Sequence, residues 1–386
     1  MKLSRLHPVQ TRRDAWVEVN LSHLEWNARR LCAQLPPGCA LMAVLKADAY
    51  GHGAVMVLPT LEAAGVSQVG VAAVDEGLAL RRAGAKLPIL VLGATPHWAM
   101  AQAAENQLQV TIFTRQHLAA IRQAGLPQPM AVHVKVDTGM RRIGVPTDEA
   151  IPFLAEVAAS PWVRLEGIFT HLACAEDATQ AQGVSQQQWR AWQGLLAAVE
   201  AQGLVLPRWR HVLNTAGLCH GAAFPANGAP TMNLARCGLG LFGYSEVPNV
   251  LKLRPVMGLK ARVVHLQTLS SGQGISYGHR YHTPAGAGST RVATLPLGYA
   301  DGVPRGLSNR LQAVVRGVVS PQVGTITMDQ LMLDVTAAAD VCVGDTVTLL
   351  GDPPACTLDD WATALGSIPY ELMCGLRVRL PKVYVR

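Results

Sequence analysis

Between about residues 40 and 245 the chain alternates two textures. Short, almost continuously apolar runs end in small or polar residues, and longer Ala- and Gln-rich stretches with helical spacing follow them. The runs are LMAVLKAD, QVGVAAV, PILVLG, LQVTIF, MAVHVKVD, VRLEGIFTH, RWRHVLN and TMNLARC, with EGLALRRAG, HLAAIRQAG and QQWRAWQGLLAAVEAQG among the helical stretches between them. Strands apolar on both faces are covered on both sides, as in a parallel sheet. About eight strand–helix units predict a closed (β/α)₈ barrel of the TIM type. An open doubly wound sheet is the alternative, and six or seven units would fit it better.

Beyond about residue 245 the helical spacing fades. LKARVVHLQTL, TRVATLPLGY, NRLQAVVRG, GTITMDQLMLDV and DTVTLLG are short, rich in Val, Leu and Thr, and separated by Gly, Pro and Asp. They predict a mainly β C-terminal domain with one helix at LDDWATALG, capped by Thr357. The expected organisation is an N-terminal segment over 1–15 packing on the β domain, a barrel over 16–245 and the β domain over 246–386. VQTRRDAWVEVN reads as a strand outside the barrel, set against the β domain.

Composition narrows the function classes. The 386 residues are 49% hydrophobic and 15% charged, an ordinary globular balance long enough for two domains. The formal charge of +7 is spread without a run of five Lys or Arg, and aromatics are 5%, so a basic stripe interleaved with stacking platforms is missing and nucleic acid is not an expected partner. The charge suits anions, such as a phosphorylated cofactor or a carboxylate substrate. The eight cysteines form no CxxC pair and no Cys/His zinc spacing, so no metal is expected and the thiols read as scattered residues of a reducing compartment. The first residues lack an apolar signal core, and no stretch is long enough for a membrane span. The expectation is a cytoplasmic enzyme with no membrane contact.

In such a barrel, active groups gather at the C-terminal ends of the strands. Lys46 ends the first run, and Tyr50 follows it. Lys135, Asp137 and Arg142 follow the fifth, His171 the sixth, Asn214 and Thr215 the seventh, and Arg236 lies in the eighth. Each alone has a plain structural reading: a solvated lysine, a turn aspartate, a strand-end histidine, a salt-bridging arginine. Together they predict a cationic mouth suited to a phosphate and a carboxylate. A strand-end lysine among positive charges is favoured as a neutral amine able to attack an aldehyde.

The string AVLKADAYGHGA, residues 43–54, closely resembles the pyridoxal-phosphate attachment segment of the alanine racemase family. KVDTGMRRIG, GIFTHLACAED, HVLNTAG, NLARCGLGLFGY, ISYGHRY, LPLGYADGVPR, VGTITMDQLMLDV and PYE follow in the family's order, so the resemblance runs from about Trp16 to Tyr384. It implies pyridoxal 5'-phosphate as cofactor, interconversion of L- and D-alanine by two opposed bases, supply of D-alanine for peptidoglycan, and a homodimer with shared active sites. Residue by residue, it implies that Lys46 holds the cofactor and serves one face of the substrate, while Tyr277 from a second subunit serves the other. Arg142 would take the substrate carboxylate, and Lys135, if carbamylated, would hold Arg142. His171 would support the cofactor ring and Arg236 face its nitrogen. Tyr50, Asn214, Thr215, Tyr370 and the amides of Gly238 and Leu239 would hold the phosphate. Met328, Asp329 and Tyr299 would form the pocket rim.

Two positions depart from the pattern. Thr215 stands where serine is usual, and Arg141, where a smaller residue is common, should point outward. The alternatives are a serine or broad-specificity racemase of the same fold, which Tyr370 disfavours by narrowing the pocket, and a non-catalytic pyridoxal-phosphate carrier. A barrel decarboxylase would show a triple-glycine loop and an EPGR-like stretch, and neither occurs.

Overall fold

The computed structural model describes residues 13–224, 231–247, 250–286, 288–376 and 379–386. Residues 1–12 of the expected N-terminal segment therefore lie outside the described residues. Contacts divide the chain into two compact units, one of Leu24–Ala49 and Ala54–Arg254, the other of Met1–His23, Tyr50–Gly53 and Pro255–Arg386.

The strands are numbered in chain order. β1 is Ala15–Asn20, β2 Ala40–Val44, β3 Gln68–Val71, β4 Ile89–Ala94, β5 Leu108–Ile112, β6 Met130–Asp137, β7 Val163–Phe169, β8 Trp209–His211 and β9 Leu234–Cys237. β2 to β9 pair in parallel in the order β5-β4-β3-β2-β9-β8-β7-β6, and pairing of β5 with β6 closes the ring. This is the eight-stranded barrel the alternating texture predicts. The helix at Val184–Ala201 shows why that texture works: Trp189, Trp192, Leu195, Leu196 and Val199 recur at helical spacing and are buried.

Inside the barrel the filling changes along its length. Met42, Leu90 and Leu234 form an apolar cluster with Ala40, Leu92 and Trp209. Two residues on from Leu234 comes Arg236, and His133, Lys135 and His211 are buried with it. Side chains two apart on a strand share a face, so β6 aims His133 and Lys135 the same way. Gly167, opposite His133, makes room for this, because a Cβ there would stand 2.3 Å from the imidazole.

The second unit holds β10 (Met257–Arg262), β11 (His265–Ser270), β12 (Ser289–Leu295), β13 (Gln312–Val315), β14 (Val318–Val323), β15 (Leu331–Asp334), β16 (Thr346–Leu350) and β17 (Lys382–Val385). With β1 they form a sheet in the order β11-β12-β15-β14-β13-β16-β10-β1-β17. β1 is antiparallel to β10 and parallel to β17, and Ala15, Val17 and Val19 bury alternate positions there. A helix follows at Leu358–Leu365, with Thr357 accepting from the Asp360 amide as its cap. Among the described residues no helix is long and apolar enough to cross a membrane.

Candidate active site

The barrel mouth is organised around Arg236. Its guanidinium is buried, with no carboxylate hydrogen-bonded to it among the described residues. Instead Nη1 donates to the His211 carbonyl at 2.9 Å and to His211 Nδ1 at 3.0 Å, and Nη2 donates to the carbonyls of Thr170 at 2.8 Å and Val212 at 3.1 Å and to His171 Nδ1 at 3.2 Å. Strand-end carbonyl dipoles thus replace a counter-ion. Burial lowers the arginine to about 10, still charged at neutral pH.

A guanidinium can only donate, so both histidines accept at Nδ1 and carry their proton at Nε2. His211 Nε2 then donates to His133 Nδ1 at 2.9 Å, and His133 Nε2 donates to Gln109 Oε1 at 3.0 Å. The chain Gln109–His133–His211–Arg236 is satisfied only with both imidazoles neutral. Burial and the Arg236 charge push His133 down to about 3 and hold His211 and His171 well below the ordinary histidine value. Phe169 stacks on His211 with ring centres 4.5 Å apart, and the cations of Arg236 and Lys135 stand 5.2 and 5.5 Å from its ring centre.

Lys135 is buried at 3% exposure, and burial, with Arg236 and Arg142 nearby, lowers its amine to about 8 despite Asp137. Asp137 itself shapes the following loop, accepting from the amides of Gly139 and Arg141. Arg141 and Arg142 are both exposed.

β2 ends at Val44, two residues before Lys46. The lysine is exposed and opens a turn in which Ala47, Asp48, Ala49 and Tyr50 have φ between 52° and 56°. A left-handed conformation costs an ordinary residue about 1–2 kcal/mol. Four in succession require outside support. Glu76 supplies part of it, accepting from the Ala47 amide at 2.6 Å and the Ala72 amide at 2.7 Å, and Asp48 accepts from the Ala54 amide at 2.8 Å.

β8 ends at His211, and Asn214 caps the helix Thr215–Cys219 by accepting from the Gly217 amide. Thr215 Oγ1 accepts from the Gly240 amide at 3.3 Å, and its methyl stands 2.8 Å from where a Gly240 Cβ would be. Gly238 and Leu239 are buried in the loop that begins there. The extra methyl of threonine is thus accommodated against a glycine.

The other predicted residues belong to the second unit. Tyr50 is buried, with its ring centre 5.8 Å from that of Tyr370. Tyr277 is 74% exposed at the tip of a hairpin whose arms pair Gly274 with His282 and Ile275 with Tyr281. Ser276, just before it, has φ 65° and ψ −172°, a region populated almost only by glycine. Ser276 Oγ donates to the Thr325 carbonyl at 2.7 Å, and Thr325 Oγ1 donates back to the Tyr277 carbonyl at 2.9 Å. The same segment anchors the residues expected at the rim: the Tyr299 amide donates to the Thr327 carbonyl, and the Ala300 amide to that of Met328. Asp329 pairs with Arg379 at 2.6 Å, which also donates to buried Asp301.

Sequence reasoning missed Gln109, His133, His211 and Glu76. For His133 a signal was present, since it sits two residues before Lys135 on one strand and so shares its face.

The chain matches the family model described as alanine racemase, N-terminal domain, over residues 19–246, and that described as alanine racemase, C-terminal domain, over residues 256–384. It is 41% identical to an alanine racemase of a Nostoc species, over 96% of each chain. It is 42% identical to one of Desulfovibrio desulfuricans, over 97% of this chain and 98% of that relative. Among solved structures it resembles the alanine racemase of E. faecalis with a TM-score of 0.88 and 33% identity, covering 97% of this chain and 98% of that one.

Proposed function

The chain belongs to the alanine racemase family and is an isomerase that interconverts L- and D-alanine, and we propose that it does so with Lys46 and Tyr277 as opposed bases on bound pyridoxal 5'-phosphate. The observation that carries this reading is the buried Arg236 guanidinium, held by strand-end carbonyls and the Nδ1 atoms of His211 and His171 with no carboxylate hydrogen-bonded to it among the described residues, and with Lys135 buried alongside.

The donor set fits the cofactor. An exposed amine follows a barrel strand, a buried guanidinium is fixed by carbonyls, and the Asn214–Thr215 turn meets the Gly238–Gly240 loop at a spacing a side chain would fill. When bound, the cofactor spreads negative charge away from the substrate α-carbon and so acidifies its proton. The protein's residues do the rest. Lys46 holds the cofactor and takes or returns the α-proton at Nζ. Tyr277 does the same at its phenol oxygen, supplied by a second copy of the chain. Arg236, still charged at neutral pH, would be the residue set against the cofactor's ring nitrogen, where it would oppose protonation and so disfavour transamination. His171 supports the ring. Asn214, Thr215, Gly238 and Leu239 would hold the phosphate, and Arg142 would hold the substrate carboxylate.

Lys135 supports a further part of the reading. Three cations gather there against Asp137 alone. Loss of a proton from its ammonium, then addition of CO₂ to the neutral amine with release of a second proton, would replace one positive charge by a negative one and give Arg142 a partner. The homodimer rests on exposure: Tyr277, Met328 and Tyr299 are 74, 52 and 42% exposed on neighbouring loops, a surface that reads as an interface.

The test is a chiral assay on a panel of L-amino acids, combined with α-proton exchange in deuterated water. Lys46→Ala should lose covalently held cofactor and fall by about 10⁴-fold, the upper range for a lost acid–base group. Tyr277→Phe should slow exchange from one enantiomer selectively. Equal slowing from both would overturn the two-base reading, and turnover of serine at the alanine rate would favour a broader racemase.

A further inference from the structure

We propose that Glu76 is the positioning residue that fixes the aim of the Lys46 amine. The inference rests on Lys46 as cofactor carrier, and it adds a residue that no motif marks. The Lys46–Ala47 peptide is planar, so the direction of the Ala47 N–H also fixes the Cα and carbonyl of Lys46. That N–H points at Glu76 Oε1, at 2.6 Å. The other carboxylate oxygen accepts from the Ala72 amide at 2.7 Å, where the chain leaves β3. Glu76 sits in the first turn of the helix Val74–Arg82, where the helix dipole favours a negative charge. One carboxylate therefore ties the turn that carries the lysine to the next strand of the barrel.

The backbone explains why a tie is needed. Ala47, Asp48, Ala49 and Tyr50 all hold left-handed φ without a glycine among them. A relaxed chain would leave this conformation, and the first residue to leave would rotate the peptide to which Lys46 belongs. Both groups facing Glu76 are donors. A carboxylate offers two acceptors and no donor. Glutamine would turn its NH₂ toward one amide, and aspartate is one methylene too short to reach both.

The test uses Glu76→Gln, Glu76→Asp and the double variant Ala47→Gly with Glu76→Gln. In the cofactor-free protein, the Ala47 amide should exchange with deuterium faster in Glu76→Gln than in the wild type. The absorbance of lysine-bound pyridoxal phosphate should then develop about 10-fold more slowly, and exchange on the Lys46 side of alanine should slow by about 10–100-fold, as expected when a reacting group is misplaced by an ångström. Exchange on the Tyr277 side should stay near wild type. Glycine holds a left-handed φ without penalty, so Ala47→Gly should restore most of both rates in the Glu76→Gln background. A merely structural Glu76 would give a lower unfolding temperature with both rates intact, or a double variant no faster than the single one. Either result overturns the proposal. If instead Lys46→Arg still loads cofactor covalently, the underlying assignment of Lys46 fails, whatever Glu76 does.

Discussion

Lys46 and Tyr277 are each delivered by backbone that ordinary residues avoid, yet the two deliveries are built from opposite materials. The lysine turn is tied by a carboxylate, and the barrel mouth beside it is buried and charged, with Arg236 and Lys135 almost wholly covered. The tyrosine turn is tied by two hydroxyls, Ser276 and Thr325, and leaves its ring 74% exposed. The difference separates two tasks. A group set at a mouth that holds buried cations has its chemistry set within its own unit. A group on an exposed, rigid tip has only its direction set there, and its electrostatic surroundings must come from whatever surface covers it. This division follows if the two bases belong to different copies of the chain.

The largest effect expected away from the two bases themselves tests the charged side. With its amine lowered to about 8, Lys135 is mostly protonated at pH 7, and the neutral fraction that can take up CO₂ grows as pH rises through 8. If Lys135 carries the proposed carbamate, Lys135→Ala should lower kcat/KM by about 100-fold, because Arg142 would lose the anion that orients it. Wild-type activity should fall in bicarbonate-free buffer and return on adding bicarbonate, whereas Lys135→Ala should ignore it. Bicarbonate insensitivity of the wild type would remove the carbamate from the scheme and leave Lys135, Arg142 and Arg236 as three cations beside Asp137.

A smaller effect concerns the neutral histidines. His133 titrates at about 3 in the folded protein, through burial and the Arg236 charge, against about 6.5 when unfolded. Between those values the unfolded chain binds the proton and the folded one does not. The stability is therefore complete above 6.5 and is lost as pH falls toward 3. At pH 5 this one group costs about 2 kcal/mol, from a shift of about 1.4 kcal/mol per pH unit, and His211 and His171 act in the same direction. The unfolding temperature should drop below pH 6.5, and His133→Gln, which has no proton to gain, should flatten the drop. An equal slope in that variant would place the acid sensitivity elsewhere, the exposed β surface included.

What the sequence could reveal divides along the same line. Lys46, Lys135, His171 and Arg236 could be placed at the mouth because barrel strands have a period, an end and a mouth, whereas their separate roles came only from the resemblance of the strings around them. The His133–His211 pair spans 78 positions and Arg236–His211 spans 25, so only closure of the ring shows them to be one chain of hydrogen bonds. The left-handed turn after Lys46 was hidden for another reason. Ala47, Asp48 and Ala49 read as helix formers or cap residues, and positive φ is announced by glycine, which comes only at Gly51. Its support, Glu76, belongs to an ordinary amphipathic helix in sequence. β1 was visible as a strand, but its place between β10 and β17 depends on partners more than 200 residues away.

The smallest expected effect tests the hydroxyl side. Thr325 is 2% exposed and spends its hydroxyl on the Tyr277 carbonyl, while its own carbonyl takes the Ser276 hydroxyl. Gly324 lets the strand approach, since a Cβ there would stand 2.9 Å from the Ile275 carbonyl oxygen. Thr325→Val keeps the shape and removes the donor, so the hairpin should persist with a looser tip. Exchange on the Tyr277 side of alanine should slow by about 10-fold, less than for a fully misplaced group because Ser276 still holds the other half of the clasp. Thr325→Ser restores the donor and should restore the rate, and exchange on the Lys46 side should not change in either variant. If Thr325→Val slows both sides equally, the hydroxyls stabilise the β domain as a whole, and rigidity at Tyr277 is no longer the counterpart of charge at Lys46.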